Sequence, residues 1–237
     1  MEQDFLSEVE LYFCPDIKGN EIVVDGEEAH HISKVMRHKP DDILFITDGM
    51  GCIYECAISA IEKRSVRFFI RKKIVYENKF KDCTICIPRL KIQDRLEFAI
   101  EKSVELGFTK IIIFESERSN GKKDKSDRWE KIALSAMKQS LRSFLPEISF
   151  TKNIFLEKYD GETLLFDQNG TLRLQDYLQV PENKFNNMRF IVGPEGGFSE
   201  KELLLAHKYQ KLKLTGNRLR SETAVITAAS IISQYLG

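Results

Sequence analysis

Neither sign of charge prevails in this sequence: 36 lysines and arginines meet 36 aspartates and glutamates, for a formal net charge of +0. A general electrostatic attraction to nucleic acid is therefore missing, and any basic surface must come from local segregation of charge. No run of about 18 apolar residues occurs, which leaves no candidate for a membrane-spanning helix. Met1 to Glu10 carries acids where a secretory leader needs a basic and then an apolar run, so a cytoplasmic protein is expected. Cysteine is scarce, and five at irregular spacing suit reduced thiols better than a disulfide framework.

A metal site is not expected either. Cys52 with Cys56 and Cys83 with Cys86 sit in runs that read as strands, where about 3.3 Å per residue separates such partners by roughly 10 Å or more. One tetrahedral zinc cannot bridge that without a turn. His30, His31, His38 and His207 fit no metal-ligand spacing. A dinucleotide-binding G-x-G-x-x-G and a Gly-Lys-Ser/Thr phosphate loop are both missing.

What is present is a chain of 237 residues, 42% hydrophobic and 30% charged, long enough for a real core in one large or two modest domains. Its first third reads as β-structure, with strands at Glu21 to Val24, Asp42 to Thr47, Cys52 to Ile61 and Arg67 to Arg71. Tyr54, Cys56, Ile58 and Ala60 alternate with Glu55 and Ser59, the period of a half-buried strand. Asp48-Gly49-Met50-Gly51 reads as a hairpin turn. Ala29, Ile32, Val35 and Met36 give Glu27 to His38 a helical period.

After a polar bridge at Tyr76 to Lys81 the grammar changes. Apolar runs at Cys83 to Ile87, Ile111 to Phe114, Leu164 to Phe166, Phe190 to Val192 and Leu212 to Leu214 lie between amphipathic segments. Leu96, Ala99, Ile100 and Val104 mark one helix, stopped by Gly107; Trp129, Ile132, Ala133, Ala136 and Met137 mark a second. Ser199-Glu200-Lys201-Glu202 is a capping box opening a third, and Ala224 to Leu236 forms the last. Apolar strands separated by helices imply an α/β domain with a mainly parallel sheet covered on both faces, whose ligands belong at the strands' carboxyl ends. The charge cluster Lys122 to Lys125, after Asn120-Gly121, is most simply a solvated loop.

Three segments after apolar strands could carry chemistry. Val192-Gly193-Pro194-Glu195-Gly196-Gly197-Phe198-Ser199 joins a strand directly to a capped helix, and its three glycines allow peptide groups to approach a ligand closely. A tight connection with no ligand is the plainer alternative. Thr215 to Ala224 runs into the last helix, where Ser221 can cap and Glu222 favours the helix dipole. Its Arg218 and Arg220 are natural binders of carboxylate, phosphate or an imide oxygen. In the third segment, Glu115 to Ser119, Arg118 could share a basic surface with Lys138 and Arg142, which lie four residues apart on one side of a helix.

Several motifs then recur in one order over nearly the whole chain: Gly26-Glu27-Glu28-Ala29-His30-His31, Val35-Met36-Arg37, Asp48-Gly49, Lys102-Ser103-Val104-Glu105-Leu106-Gly107, Glu117-Arg118-Ser119, Gln139-Ser140-Leu141-Arg142 with Pro146, Gly193-Pro194-Glu195-Gly196-Gly197-Phe198, and Leu219-Arg220-Ser221-Glu222-Thr223-Ala224. This ordered set resembles the 16S rRNA uridine-N3 methyltransferases of the SPOUT class. It departs from them at Thr215, where the family commonly has glycine, and at Asp41-Asp42 in place of Gly-Asp.

The resemblance implies a PUA-like RNA-binding β-barrel over residues 1–74 and a SPOUT α/β methyltransferase domain over 75–237, with a parallel sheet and a C-terminal trefoil knot. It implies a homodimer acting on 16S rRNA or the small ribosomal subunit. S-adenosylmethionine would lie in the knot, against Phe166, Val192, Gly193, Pro194, Gly196, Gly197, Leu214, Asn217 and Leu219. Arg220 is assigned to stabilising charge on the uracil imide and Glu222 to accepting its proton. His31, Arg37, Arg118, Lys138, Gln139 and Arg142 are assigned to RNA. An RNA-binding or ribosome-assembly protein without catalysis, and a SPOUT enzyme acting on transfer RNA, are the alternatives.

Overall fold

A computed structural model describes residues 9–119, 126–180 and 187–236; the Lys122 to Lys125 cluster lies outside the described residues. The chain divides into two compact units, residues 1–78 with 137–145, and residues 79–136 with 146–237.

The first unit contains β1 (Leu11–Phe13), β2 (Glu21–Asp25), α1 (Gly26–His30), β3 (Ile43–Thr47), β4 (Cys52–Ile61) and β5 (Ser65–Val75). Its sheet runs β1-β3-β4-β5-β2, antiparallel except for β1 beside β3. The two edge strands share one core: Tyr12 and Cys14 from one end meet Ile22 and Val24 from the other, with Ile46, Cys56, Ile58 and Phe68 between them. A sheet whose edges pack into a common interior must curl, and the result is a small barrel. Ala29 and Ile32 close it, as their helical spacing foretells.

Two local readings change. Helix α1 is short and passes into a π-helical turn, His31–Val35, before Arg37 adopts φ +59° and ends it. Strand β4 is buried on both faces, because Ile53 and Ala57 are covered as well as Tyr54, Cys56 and Ile58. The turn at its start is as expected, with Asp48 Oδ1 accepting from Met50 N at 2.7 Å and Cys52 N at 3.1 Å. Residues 137–145 join this unit through backbone: Gly51 N donates to Ser143 O, and Leu145 N to Gly49 O.

The second unit is built on β6 (Cys83–Pro88), α2 (Gln93–Glu105), β7 (Lys110–Phe114), α3 (Ser126–Gln139, its last turn counted with the first unit), β8 (Glu147–Thr151), β9 (Glu162–Phe166), β10 (Leu172–Arg173), α4 (Leu174–Leu178), β11 (Met188–Val192), α5 (Glu200–Leu205), β12 (Gln210–Lys213) and α6 (Ser221–Leu236). Its seven strands run β10-β12-β9-β11-β6-β7-β8, all parallel. The apolar strands are buried as their composition requires: Ile85, Ile87, Ile113, Leu164, Leu165 and Phe190 are all inaccessible. Trp129, Ala133, Ala136 and Met137 form the buried stripe of α3.

The order of strands positions the site. From β6 the chain adds β7 and β8 on one side, then crosses to the other, where β11 is inserted between β6 and β9 and β12 lies beyond β9. The carboxyl ends of β9, β11 and β12 consequently stand side by side, at the kind of switch point where open α/β sheets bind ligands. Cys83 and Cys86 share β6, and Cys52 and Cys56 share β4, all four free; burial pushes the Cys56, Cys83 and Cys86 thiols up to about 12.

Candidate functional site

A cavity of about 700 Å³ opens at those three strand ends, within the second unit. Phe166, Val192 and Leu214, from the ends of β9, β11 and β12, make its apolar wall. Phe166 is fixed from behind by Phe190, stacked at 6.2 Å with an interplanar angle of 8°. The glycine-rich loop contributes Gly193, Pro194, Gly196 and Gly197, and the loop before α6 contributes Asn217, Leu219 and Arg220. All nine residues that the resemblance assigns to the cofactor thus border one space, together with Arg220.

The two loops are tied together at Ser221. The hydroxyl expected to cap the last helix does something else: α6 begins at Ser221, and its Oγ donates to Gly193 O at 2.8 Å. A capping hydroxyl accepts from a backbone N–H within its own helix, whereas this one reaches 28 residues back to a peptide carbonyl. Thr215 makes its own turn, with Asn217 N donating to its Oγ1 at 3.1 Å.

The glycines are explained by what approaches them. A Cβ on Gly196 would sit 3.3 Å from the Arg118 Cβ, and Gly197 has φ +68°, where side chains other than glycine's are strained. Arg118 Nη1 donates to Gly196 O at 3.0 Å, so its head as well as its stem lies on the loop. The capping box of α5 reinforces this arrangement. Ser199 Oγ accepts from Glu202 N and Glu202 Oε2 accepts from Ser199 N at 2.8 Å, as read from the sequence. Glu202 Oε1 additionally accepts from Glu117 N at 3.1 Å, which draws the Arg118 segment against the glycine loop.

Sequence reasoning missed Arg95. It stands in the first turn of α2 and lines the cavity. Its Nη1 donates to Glu195 Oε1 at 2.8 Å, and its Nε lies 3.5 Å from Glu222 Oε1. One guanidinium therefore clasps the glycine loop to the first turn of α6. Nothing in the spacing of Asp94-Arg95-Leu96 distinguishes it from ordinary solvated helix charge; only the fold brings its two carboxylates within reach. Glu222 is 8% exposed, and its Oε2 has no hydrogen-bond partner among the described residues. Arg218 and Arg220 are exposed at the cavity.

The other residues assigned to RNA belong to the first unit. His31 is exposed at the start of the π-helical turn, with its ring 6.0 Å from that of Tyr12. Arg37 is exposed at its positive φ. Lys138 is ion-paired with Glu28, but α3 ends at Gln139 and Leu141 turns at φ +55°, so Arg142, exposed just after it, does not share a helix face with Lys138 as their spacing suggested. Among the described residues no group of three histidine, cysteine or acidic side chains could hold a metal, and no helix is long and apolar enough to cross a membrane.

Comparison with known proteins gives a consistent result. An RNA methyltransferase domain family matches residues 77–233, and an RNA methyltransferase PUA domain family matches residues 24–71. The ribosomal RNA small subunit methyltransferase E of Buchnera aphidicola subsp. Schizaphis graminum is 31% identical over 222 residues, 88% of each chain. Its namesake from the Acyrthosiphon pisum subspecies is 27% identical over 241 residues, 96% of this chain and 93% of its own. The crystal structure of a ribosomal RNA small subunit methyltransferase E from Neisseria gonorrhoeae bound to S-adenosyl methionine superposes with a TM-score of 0.81 at 26% identity, over 96% of this chain and 98% of its own.

Proposed function

This chain belongs to the RNA methyltransferase family, and from that premise we propose that it methylates N3 of a uridine in 16S rRNA of the small ribosomal subunit, using S-adenosylmethionine. The observation that carries the proposal is the meeting of the glycine loop and the pre-α6 loop around one cavity, stitched by Ser221 to Gly193. The cavity suits the donor. Its volume is within the roughly 300–1,000 Å³ of small-molecule sites, with an apolar wall for a purine at Phe166, Val192, Leu214 and Leu219 and peptide groups at Gly193 to Gly197 for polar edges. When bound, S-adenosylmethionine supplies a methyl group already activated on a sulfonium.

The protein's task is then alignment, desolvation and the N3 proton. The target uridine enters unpaired, since pairing occupies N3. Glu222 Oε2, buried and without a partner among the described residues, accepts the proton. Arg220 holds the negative charge that develops on the imide oxygen. Held by the two loops, the donor would present its methyl carbon in line with uridine N3, and its sulfur would take the electron pair of the carbon–sulfur bond. Arg95 lines the cavity, whereas Glu222 does not, and the 3.5 Å ion pair between them ties the Glu222 carboxylate to the site. Arg118, seated on the glycine loop, orients phosphate or base, while His31, Arg37, Lys138, Gln139 and Arg142 in the first unit hold the flanking RNA.

The same reading includes a PUA-like RNA domain over residues 1–74, a SPOUT domain over 75–237 closed by a trefoil knot, a homodimer and a cytoplasmic location. Incubating the purified chain with small subunits or 16S rRNA and methyl-labelled donor tests it. Label recovered as N3-methyluridine supports the proposal. Label recovered only in transfer RNA, or none at all, ends it.

A further inference from the structure

The methyl-transfer reading uses the carboxyl ends of the strands. At the amino ends of β9, β11 and β12 lies a second cavity, of about 730 Å³, that it leaves unused. Arg189 lines it and is only 2% exposed. Its guanidinium lies 4.6 Å from the centroid of the Tyr159 ring and 5.9 Å from that of Tyr209. Nε donates to Thr163 Oγ1 at 3.2 Å, Nη1 to Ile154 O at 3.5 Å and Nη2 to the Tyr209 hydroxyl at 3.3 Å. All three acceptors are neutral. Among the described residues no carboxylate forms an ion pair with Arg189, and an arginine does not escape its charge by losing a proton.

A desolvated cation without a counter-ion is costly to fold around, and buried charges are ordinarily paired. The five N–H groups of a guanidinium include two beyond the three bonds above, one on each terminal nitrogen. Such a pair matches two oxygens of one oxyanion. The exposed Lys158 and Lys208 stand in the same lining and add positive charge at the rim. The two carboxylates that share the lining are held elsewhere, Glu157 by the Thr151 hydroxyl at 2.6 Å and Glu162 by the Tyr177 hydroxyl.

We propose that this second cavity is a phosphate-binding site anchored by Arg189, taking inorganic phosphate or the terminal phosphate of a mononucleotide. The depth of the anchor selects between phosphate sources. A cation 2% exposed is reached by a small or terminal group, not by the diester backbone of a folded RNA. The site is separate from the methyl-transfer cavity and stands whether or not that reading holds.

The test is calorimetric titration of the full chain with inorganic phosphate and with a nucleoside 5′-monophosphate, in chloride buffer of matched ionic strength. Saturable binding is expected, weakened about tenfold by Lys208→Glu at the rim and more by Arg189→Lys, which keeps the charge and loses the fork. Arg220→Ala, in the other cavity, should leave it unchanged. Tighter binding of phosphate assigns the site to the free ion, and tighter binding of the nucleotide assigns it to a terminal phosphate. No saturable binding of either, or binding that Lys208→Glu and Arg189→Lys leave intact, overturns the proposal.

Discussion

Replacing Ser221 by alanine removes one hydroxyl and isolates the stitch between the two loops. The lost bond is short, 2.8 Å, and its donor residue is 4% exposed. A hydrogen bond of this kind contributes about 1 kcal/mol net, and leaving its acceptor unpaired costs about 1–3 kcal/mol. Alanine recovers roughly 0.5 kcal/mol through its better helix propensity at the start of α6. The balance is a loss of about 0.5–2.5 kcal/mol, or a melting temperature lower by roughly 1–10 °C for a chain of this size. The same bond fixes Gly193 beside Phe166 and Leu219, so the variant should also bind S-adenosylmethionine up to about tenfold more weakly, since tenfold corresponds to 1.4 kcal/mol. Thermal melting followed by the single, buried Trp129, together with calorimetric titration of the donor, reads both effects. A lowered melting temperature with unchanged donor affinity would refute the reasoning, because the stitch would then serve stability alone.

Arg220→Ala should reduce turnover by about 10²–10³ while leaving donor affinity nearly intact, the signature of a group that acts on developing charge. Equal losses of both would move Arg220 into the donor pocket. Arg95→Met frees two carboxylates at once; it should lower methyl transfer, and Glu222→Gln on that background should cost less than Glu222→Gln alone, as a double-mutant cycle will show. Gly196→Val, whose side chain meets the Arg118 stem at 3.3 Å, should abolish donor binding in a protein that still melts cooperatively. The thiols give a pH prediction. Cys56, Cys83 and Cys86 stay protonated in the fold up to about 12, above the value they regain on unfolding, so the unfolded state binds fewer protons between those limits. Their contribution is intact below the unfolded value and is lost as pH rises toward 12, which urea midpoints measured at increasing alkaline pH will follow.

Much of this architecture is written in local pattern. The parallel sheet was legible because Cys83 to Ile87, Ile111 to Phe114 and Phe190 to Val192 are apolar without alternation, and such runs are stable only when both faces are covered. The α5 capping box was legible because both of its hydrogen bonds close within four residues. Strand β8 was missed because Glu147–Thr151 is a partly exposed edge whose mixed composition resembles loop. Strand β1, three residues long, is too short to show any period. The π-helical turn at His31–Val35 has the same residue chemistry as an ordinary helix.

The site divides in the same way. The glycine loop and the arginine-bearing loop announced themselves through composition next to strand ends. Arg95 did not, because its role depends on carboxylates 100 and 127 positions away in the chain, brought close by the crossing from β8 to β9. Ser221 was visible as a residue suited to the helix start, but its actual partner, Gly193 O, is set by the insertion of β11 beside β9. Long-range pairing of this kind has no signature in spacing.

The central claim is tested most directly by the modification itself. Small ribosomal subunits lacking the modification are incubated with the purified chain and S-adenosylmethionine, and the 16S rRNA is digested to nucleosides and resolved by mass spectrometry. The account predicts one new N3-methyluridine per subunit, lost with Arg220→Ala. A methyl group found at another atom, or on no nucleoside of 16S rRNA, contradicts it.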